Sequence, residues 1–203
     1  MSILVAGCVR GVKVLFGYKG KLLHIDLSAK SWKTTEISEP IINKYIGGRG
    51  LAAKLFWDLM PASIDALSPR NVFMVLTGPL TGTMAPGAGK HLIVTKSPST
   101  GGWLESYSSG RLGPEIKFAG FDGIIITGRA NRPIYLVVEN HNVSIRNAEF
   151  LWGKGAFWSE AALKRHFGFD SGTLVIGPAG ENLVPFACVG SEYFRKAGRG
   201  GAG

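Results

Sequence analysis

Cysteine is nearly absent from this chain, which carries only Cys8 and Cys188 and no CxxC pair. Two thiols cannot build a disulfide framework, nor supply the four thiolates of an iron–sulfur cluster. A reducing compartment, the cytoplasm, is the expectation that follows. Histidine is equally scarce: His24, His91, His141 and His166 fall on four separate segments. None stands at metal-ligand spacing from another histidine or a cysteine, so surface or hydrogen-bonded roles are expected for all four. No run approaches the ~18 apolar residues that would span a bilayer, which argues against a membrane partner. The opening Met1-Ser2-Ile3-Leu4-Val5-Ala6-Gly7-Cys8 resembles a lipoprotein cleavage box only superficially. It has no cationic leader and its apolar stretch is too short for a signal sequence. No catalytic constellation is visible, and neither a catalytic residue nor a metal ligand is assigned.

Acidic side chains are also in deficit, 14 against 23 lysines and arginines, for a formal net charge of +9. Such a balance favours an anionic partner: nucleic acid, a membrane surface or a phosphorylated small molecule. The cations are scattered, with no run of five or six, which fits a discrete anion site better than a continuous patch. A nucleic-acid module would interleave aromatics with cations on one face. Only Trp103 and Tyr107 near Arg111 answer that description.

What the chain has in plenty is glycine, 29 of 203 residues, about twice the usual share of roughly 7%. No Gly-X-Y period is present, so the excess belongs to turns and close backbone approaches. With 45% hydrophobic residues, the length suits one domain, or two small ones closely packed, with a real core. Residues 1–16 read as an N-terminal extension and 17–203 as the ordered domain. Alternation predicts a hairpin over 22–27 and 32–37. Ser38-Glu39-Pro40 opens a helix, and Gly47-Gly48-Arg49-Gly50 separates it from a second one ending near Leu59. Strands are predicted over 71–77, 92–95 and 124–127, a hairpin over 134–139 and 143–146, and a helix over 157–166. Strands over 173–176 and 184–189 follow. Hairpin, helix, strand ending in Gly-Pro, loop, strand: the order occurs twice, as in Leu76-Thr77-Gly78-Pro79 and Val175-Ile176-Gly177-Pro178. The expectation is an α+β fold, an internally duplicated domain of mixed β-sheets with flanking helices, its halves meeting at the Gly-Pro elements.

The segment Arg195-Lys196-Ala197-Gly198-Arg199-Gly200-Gly201-Ala202-Gly203 joins three cations to four glycines. Glycine permits converging N–H groups and arginine a planar donor fork, a combination suited to phosphate. The chain stops inside this motif, which suggests the front part of something larger. Gly47-Gly48-Arg49-Gly50 follows a helical rather than a strand period and reads as a helix junction, not a phosphate loop. The loop from Gly78 to Lys90 is long for a mere connection. With the hydroxyl-rich segments Lys96-Ser97-Pro98-Ser99-Thr100 and Ser106-Tyr107-Ser108-Ser109-Gly110, it is expected to share one phosphate-lined surface with the terminal motif.

Seven ordered motifs carry a family resemblance. They are Gly17-Tyr18-Lys19-Gly20-Lys21 leading to Ile25-Asp26-Leu27-Ser28, Gly48-Arg49-Gly50-Leu51-Ala52, Gly78-Pro79-Leu80-Thr81-Gly82-Thr83, and Thr95-Lys96-Ser97-Pro98 before Thr100-Gly101. Lys117-Phe118-Ala119-Gly120-Phe121-Asp122, Gly177-Pro178-Ala179-Gly180-Glu181-Asn182 and Ala197-Gly198-Arg199-Gly200-Gly201 complete the series. In this order, over residues 17–203, they resemble the N-terminal domain of the aldehyde:ferredoxin oxidoreductase family of tungsten enzymes. The resemblance implies a base domain under a tungsten (or molybdenum) ion held by two pterins, whose phosphates are bridged by magnesium through main-chain carbonyls. It implies oxidation of an aldehyde to a carboxylic acid. It also implies a 4Fe-4S cluster, with ligands in later C-terminal domains, that passes electrons to ferredoxin; a homodimer is left open. This chain alone would then be inactive. Carried over residue by residue, the cofactor contacts fall on Lys90, Tyr107, Ser109, Arg195, Lys196, Gly198 and Arg199. Lys90 replaces the family's arginine, Tyr107 and Ser109 its asparagine and glycine, and Lys196 a small residue. These departures leave room for another substrate, such as a sugar phosphate aldehyde or an aromatic acyl-thioester. A non-catalytic anion-binding or nucleic-acid-binding module is the alternative class.

Overall fold

The computed structural model describes residues 16–61 and 63–203. Nearly all of the proposed extension, with Cys8, lies outside the described residues. Chain order begins with β1 (Lys21–Asp26), β2 (Ser31–Glu36), α1 (Glu39–Tyr45), α2 (Gly48–Leu59), β3 (Phe73–Leu76), β4 (His91–Lys96) and β5 (Trp103–Ser108). It continues with α3 (Leu112–Phe118), β6 (Gly123–Thr127), β7 (Ile134–Glu139), β8 (Asn142–Asn147) and α4 (Ala156–Phe167). Last come α5 (Pro178–Glu181), β9 (Val189–Ser191) and β10 (Arg195–Ala197).

Six strands form one mixed sheet in the order β2-β1-β6-β3-β4-β5, while β7–β8 and β9–β10 are separate two-stranded ribbons. Only β1 and β6 run parallel within the large sheet. The sheet is covered on both faces, which explains its continuous apolar strands. Successive side chains point to opposite faces. Leu22, Met74, Leu76, Leu92 and Val94 therefore join Ile42 and Leu51 of α1 and α2 in one core. Leu23, Ile25, Val75 and Ile93 join Ile116, Phe121, Val189 and Ala197 in the other, with Leu136 and Val138 packed against them. The edge strand β2 is polar and largely exposed, which blunts its free hydrogen-bonding side.

One buried ion pair ties the sheet to the chain entering it. Lys117 Nζ donates to Asp122 Oδ1 and to Gly17 O at 2.8 Å. Asp122 Oδ2 also accepts from the Lys19 and Gly20 amides at 2.9 and 2.6 Å. The two side chains are only 5% and 4% exposed. Main-chain bonds extend the junction: Asp122 N donates to Lys21 O at 2.8 Å, and Thr77 N to Asp122 O at 3.0 Å. The end of β3 and the starts of β1 and β6 thus meet at one residue.

The α+β architecture with mixed sheets stands as expected, and the recurring element order is visible, but the two copies are built unequally. Residues 173–176 contribute only an isolated bridge, Val175 to Gly190, rather than a strand. Residues 184–187 form turns, not a strand. Val184 N bonds Ala179 O, Ala187 N bonds Val184 O, Leu183 is left-handed at φ 56°, and Pro185 has no N–H to offer a ladder. The two Gly-Pro dipeptides each pack in their own half: Gly78 and Pro79 against Gly47, with Pro79 also against Gly17, and Gly177 against Gly155 and Ala156. Four elements were not expected: β5, α3, α5 and β10. The hydroxyl-rich segment 106–108 belongs to β5, and α3 follows it. Gly113 and Pro114 disguise that helix, yet Pro114 occupies the first turn, where its missing N–H costs nothing. A Cβ at Gly113 would lie 3.1 Å from Lys90 O, so glycine lets α3 lie against the Gly78–Lys90 loop.

Breaking the buried pair should cost more than any surface change. Lys117→Met strands the Asp122 carboxylate, and a loss of about 3–5 kcal/mol is expected. Equilibrium urea unfolding measures it; the exposed Lys54–Asp58 pair, removed in parallel, should change stability by under about 1 kcal/mol.

Candidate cofactor site

Strand register brings three distant segments to one rim of the large sheet. His91 faces Ser108 and Leu92 faces Tyr107 in the β4–β5 ladder. Lys90, just before β4, is therefore level with Ser109, just after β5. The backbones close in as well: a Cβ at Gly89 would lie 2.9 Å from Gly110 O. The β9–β10 ribbon lies on the inner face of this ladder. Ser106 Oγ donates to Gly198 O at 3.0 Å and Ser97 Oγ to Gly200 O at 2.7 Å. At the rim itself, Arg195 Nη1 donates to Ser109 Oγ at 2.6 Å. Lys90 and Arg195 are exposed around this contact, while Tyr107, which alternates with the inward Ser106 and Ser108, is exposed on the opposite face of β5.

Of the residues carried over from the resemblance, Lys90, Ser109 and Arg195 are thus gathered together, and Tyr107 adjoins them through its main chain only. Lys196 is adjacent but turns the other way. Its ammonium donates to Tyr193 O at 2.7 Å and sits 5.2 Å from the Phe157 ring centroid, as alternation along β10 requires. Only its main chain is left to face the rim. Arg199 is exposed and left-handed at φ 63°, an unusual state for a residue with a Cβ. Neighbouring glycines divide by role. A Cβ at Gly200 would lie 2.3 Å from Leu104 Cδ1, and one at Gly201 2.0 Å from Pro185 O, so these two serve packing. At Gly198 the nearest atom would be Cys188 Cβ at 3.8 Å, leaving ordinary room.

Arg49 is not part of this rim. Its guanidinium is paired with Glu105, Nε donating to Oε2 at 2.6 Å, which pins α2 to β5 and agrees with a helix junction. Trp103 and Met84 are exposed, but Leu104 is buried, because it is an inward residue of β5 covered by Gly200. An open concavity of about 390 Å³ lies beside the rim, lined by Thr83, Met84, Gly89, Pro114 and Phe118.

Beneath the rim, His91 is 1% exposed and neither ring nitrogen has a hydrogen-bond partner among the described residues. Its cross-strand neighbour Ser108 and Ser191 of β9 also have buried, unpartnered hydroxyls. Burial pushes the His91 imidazole down to about 4. This corrects the expectation of a surface or hydrogen-bonded histidine. The signal was available in the alternation, since His91 shares a sheet face with Ile93.

The donor set suits an anion: one guanidinium, one ammonium, a hydroxyl and open main chain. It offers nothing to a thiolate-bound cluster, since Cys188 is the single cysteine among the described residues. Residues 22–203 match the family model described as "Aldehyde ferredoxin oxidoreductase, N-terminal domain". The chain belongs to this family. It is 40% identical to the tungsten-containing aldehyde ferredoxin oxidoreductase of Pyrococcus furiosus over 93% of this chain and 31% of that protein. To the Thermococcus kodakarensis enzyme of the same name it is 42% identical over the same shares. Identity is 38% to the WOR-like subunit of the Pyrococcus furiosus aliphatic sulfonate oxidoreductase, over 93% of this chain and 32% of that protein. Among solved structures, the benzoyl coenzyme A reductase complex BamBC, with 1,5-dienoyl-CoA, superposes with a TM-score of 0.88 at 33% identity. That match covers 92% of this chain and 29% of its counterpart. The chain spans about a third of the length of these relatives.

A buried neutral histidine makes acid costly. The unfolded imidazole takes up its proton near 6.5 and the folded one near 4, so unfolding binds the extra proton between those values. His91 therefore adds no penalty above about pH 6.5, and stability should fall by about 3 kcal/mol as pH drops from 6.5 to 4. Denaturation across that range checks it; His91→Phe should flatten the slope there.

Proposed function

We propose that this chain is the pterin-cradling N-terminal part of a tungsten oxidoreductase that oxidises an aldehyde to a carboxylic acid. The observation that supports the reading is the convergence of Lys90, Ser109 and Arg195 from three separate segments on one rim. When bound, the tungsten–pterin group supplies the redox chemistry. The chain's own residues hold it. Arg195 presents a forked donor to a pterin phosphate, with Ser109 fixing the fork, and Lys90 adds a point charge. Arg199 supplies a second fork. The open space at Gly198 would admit the cofactor close to the backbone, and main-chain carbonyls at Tyr107 and Lys196 would hold magnesium. Residues 17–203 act as one domain; the 4Fe-4S cluster, the C-terminal domains that hold it and ferredoxin as acceptor belong to the rest of the protein. A cytoplasmic homodimer completes the reading.

The substrate side is broader. The aliphatic sulfonate oxidoreductase subunit and the benzoyl coenzyme A reductase neighbour support an alternative in which the same cradle serves another substrate, such as an aromatic acyl-thioester. A sugar phosphate aldehyde is a further candidate, since a glyceraldehyde-3-phosphate oxidoreductase of Pyrococcus furiosus is 30% identical over 41% of this chain.

Tungsten and pterin content per protein, measured after expression with tungstate, tests the reading. Arg195→Ala and Arg199→Ala should each weaken cofactor retention by roughly ten- to a hundredfold, the worth of a lost charge-assisted contact. Circular dichroism should be unchanged. Lys90→Arg should retain cofactor as well as the parent or better, because it restores a fork. Full occupancy in both alanine variants, or co-purified nucleic acid in place of pterin, would overturn the proposal.

A further inference from the structure

The connection between β9 and β10, which delivers Arg195 to the rim, is conformationally costly. It runs through Glu192, Tyr193 and Phe194, with Glu192 at φ 49° and Tyr193 at φ 60°. A left-handed backbone is disfavoured for any residue bearing a Cβ, and glycine or asparagine usually occupies such positions. Two in succession persist only where surrounding contacts fix them.

Those contacts come from α4. Glu160 is wholly buried, and its carboxylate accepts from Thr173 Oγ1 at 2.6 Å and from the Tyr193 amide at 2.8 Å. One turn later, Lys164 is also buried. Its ammonium donates to Ser171 O at 2.9 Å and Phe169 O at 3.2 Å, and stands 3.5 Å from Glu192 Oε1. On the outer side, Phe157 stacks on Tyr193 at 6.0 Å and meets Phe194 edge-on at 5.4 Å. The turn is close to the rim: a Cβ at Gly110 would lie 2.5 Å from Glu192 Cγ and 3.2 Å from Arg195 Cδ. A change in the turn therefore changes where Arg195 stands relative to Ser109.

We propose that Glu160 is a positioning residue for the anion cradle, acting through the strained Glu192–Tyr193 turn to hold Arg195 against Ser109. A buried carboxylate placed on the Tyr193 N–H, two residues before Arg195, does for this turn what glycine does elsewhere. Lys164 shares the task from the Glu192 side. The proposal rests on the reading of Arg195 as a phosphate ligand.

The test uses the protein as isolated after growth with tungstate, with Glu160→Met, which removes the acceptor at similar volume, Tyr193→Gly and the double variant beside the parent. Two readouts are taken: tungsten and pterin per protein, and hydrogen exchange across residues 191–197. Glu160→Met should retain roughly tenfold less cofactor and exchange about tenfold faster over those residues, with α1 and α2 unaffected. Tyr193→Gly removes the left-handed cost, so the double variant should recover both properties. Unchanged occupancy and exchange in Glu160→Met would overturn the proposal. So would a loss that Tyr193→Gly does not relieve, because Glu160 would then support the fold at large. If the parent itself carries no pterin, the functional reading falls, and exchange alone decides whether Glu160 holds the turn.

Discussion

The Lys117–Asp122 pair is the constraint on which the rest of the molecule depends. Asp122 immediately precedes β6, and its carboxylate collects the amides of Lys19 and Gly20 as well as the Lys117 ammonium. Burying both charges is tolerable only because each has several partners, the ammonium also reaching Gly17 O. The consequence reaches beyond the pair. Gly17 lies against Pro79, where a Cβ would come within 2.7 Å of the proline carbonyl. Fixing Gly17 thus also fixes the start of the loop that ends at Lys90. The only parallel pairing in the large sheet, β1 with β6, is set at this junction.

From that fixed point the rim is assembled by register. The β4–β5 ladder sets Lys90 level with Ser109, and serine hydroxyls at 97 and 106 bind the carbonyls of Gly200 and Gly198. These two side-chain bonds, to carbonyls two residues apart, hold the terminal segment against the β4–β5 ladder. A second buried charged pair of residues, Glu160 and Lys164, anchors the other end of the same ribbon. Both charged residues at each anchor are buried and multiply bonded, so both anchors are rigid, while the cations they present stay exposed.

The elements legible in the sequence were those whose pattern is local. The first hairpin, the two helices around Gly47-Gly48-Arg49-Gly50, the β7–β8 hairpin and α4 follow from alternation, helical spacing and glycine punctuation. The departures share one cause. β5 alternates exposed and buried residues, but three of its six are serine or glutamate; Ser106 and Ser108 face inward, with Ser106 covered by the Gly198 carbonyl rather than by solvent. Residues 184–189 have strand-like composition, yet the left-handed Leu183 and Pro185 turn the chain away. Glycines 200 and 201 read as an anion nest, and their contacts with Leu104 and Pro185 give them packing roles.

By itself the sequence determined the class of domain, through seven motifs in fixed order, the charge balance that calls for an anionic ligand, and the lack of thiolates for a cluster. Local spacing suffices for those conclusions, because composition and motif order survive without coordinates. Tertiary structure alone decided which of the cations share a rim, that Lys196 turns away from it, and that His91, Ser108 and Ser191 lie unpartnered beneath it. Only the folded chain could bring Glu160 to the Tyr193 amide, 33 residues away. Such contacts depend on strand register and on which face a side chain takes, and those are settled only when the sheet, the ribbon and α4 pack together.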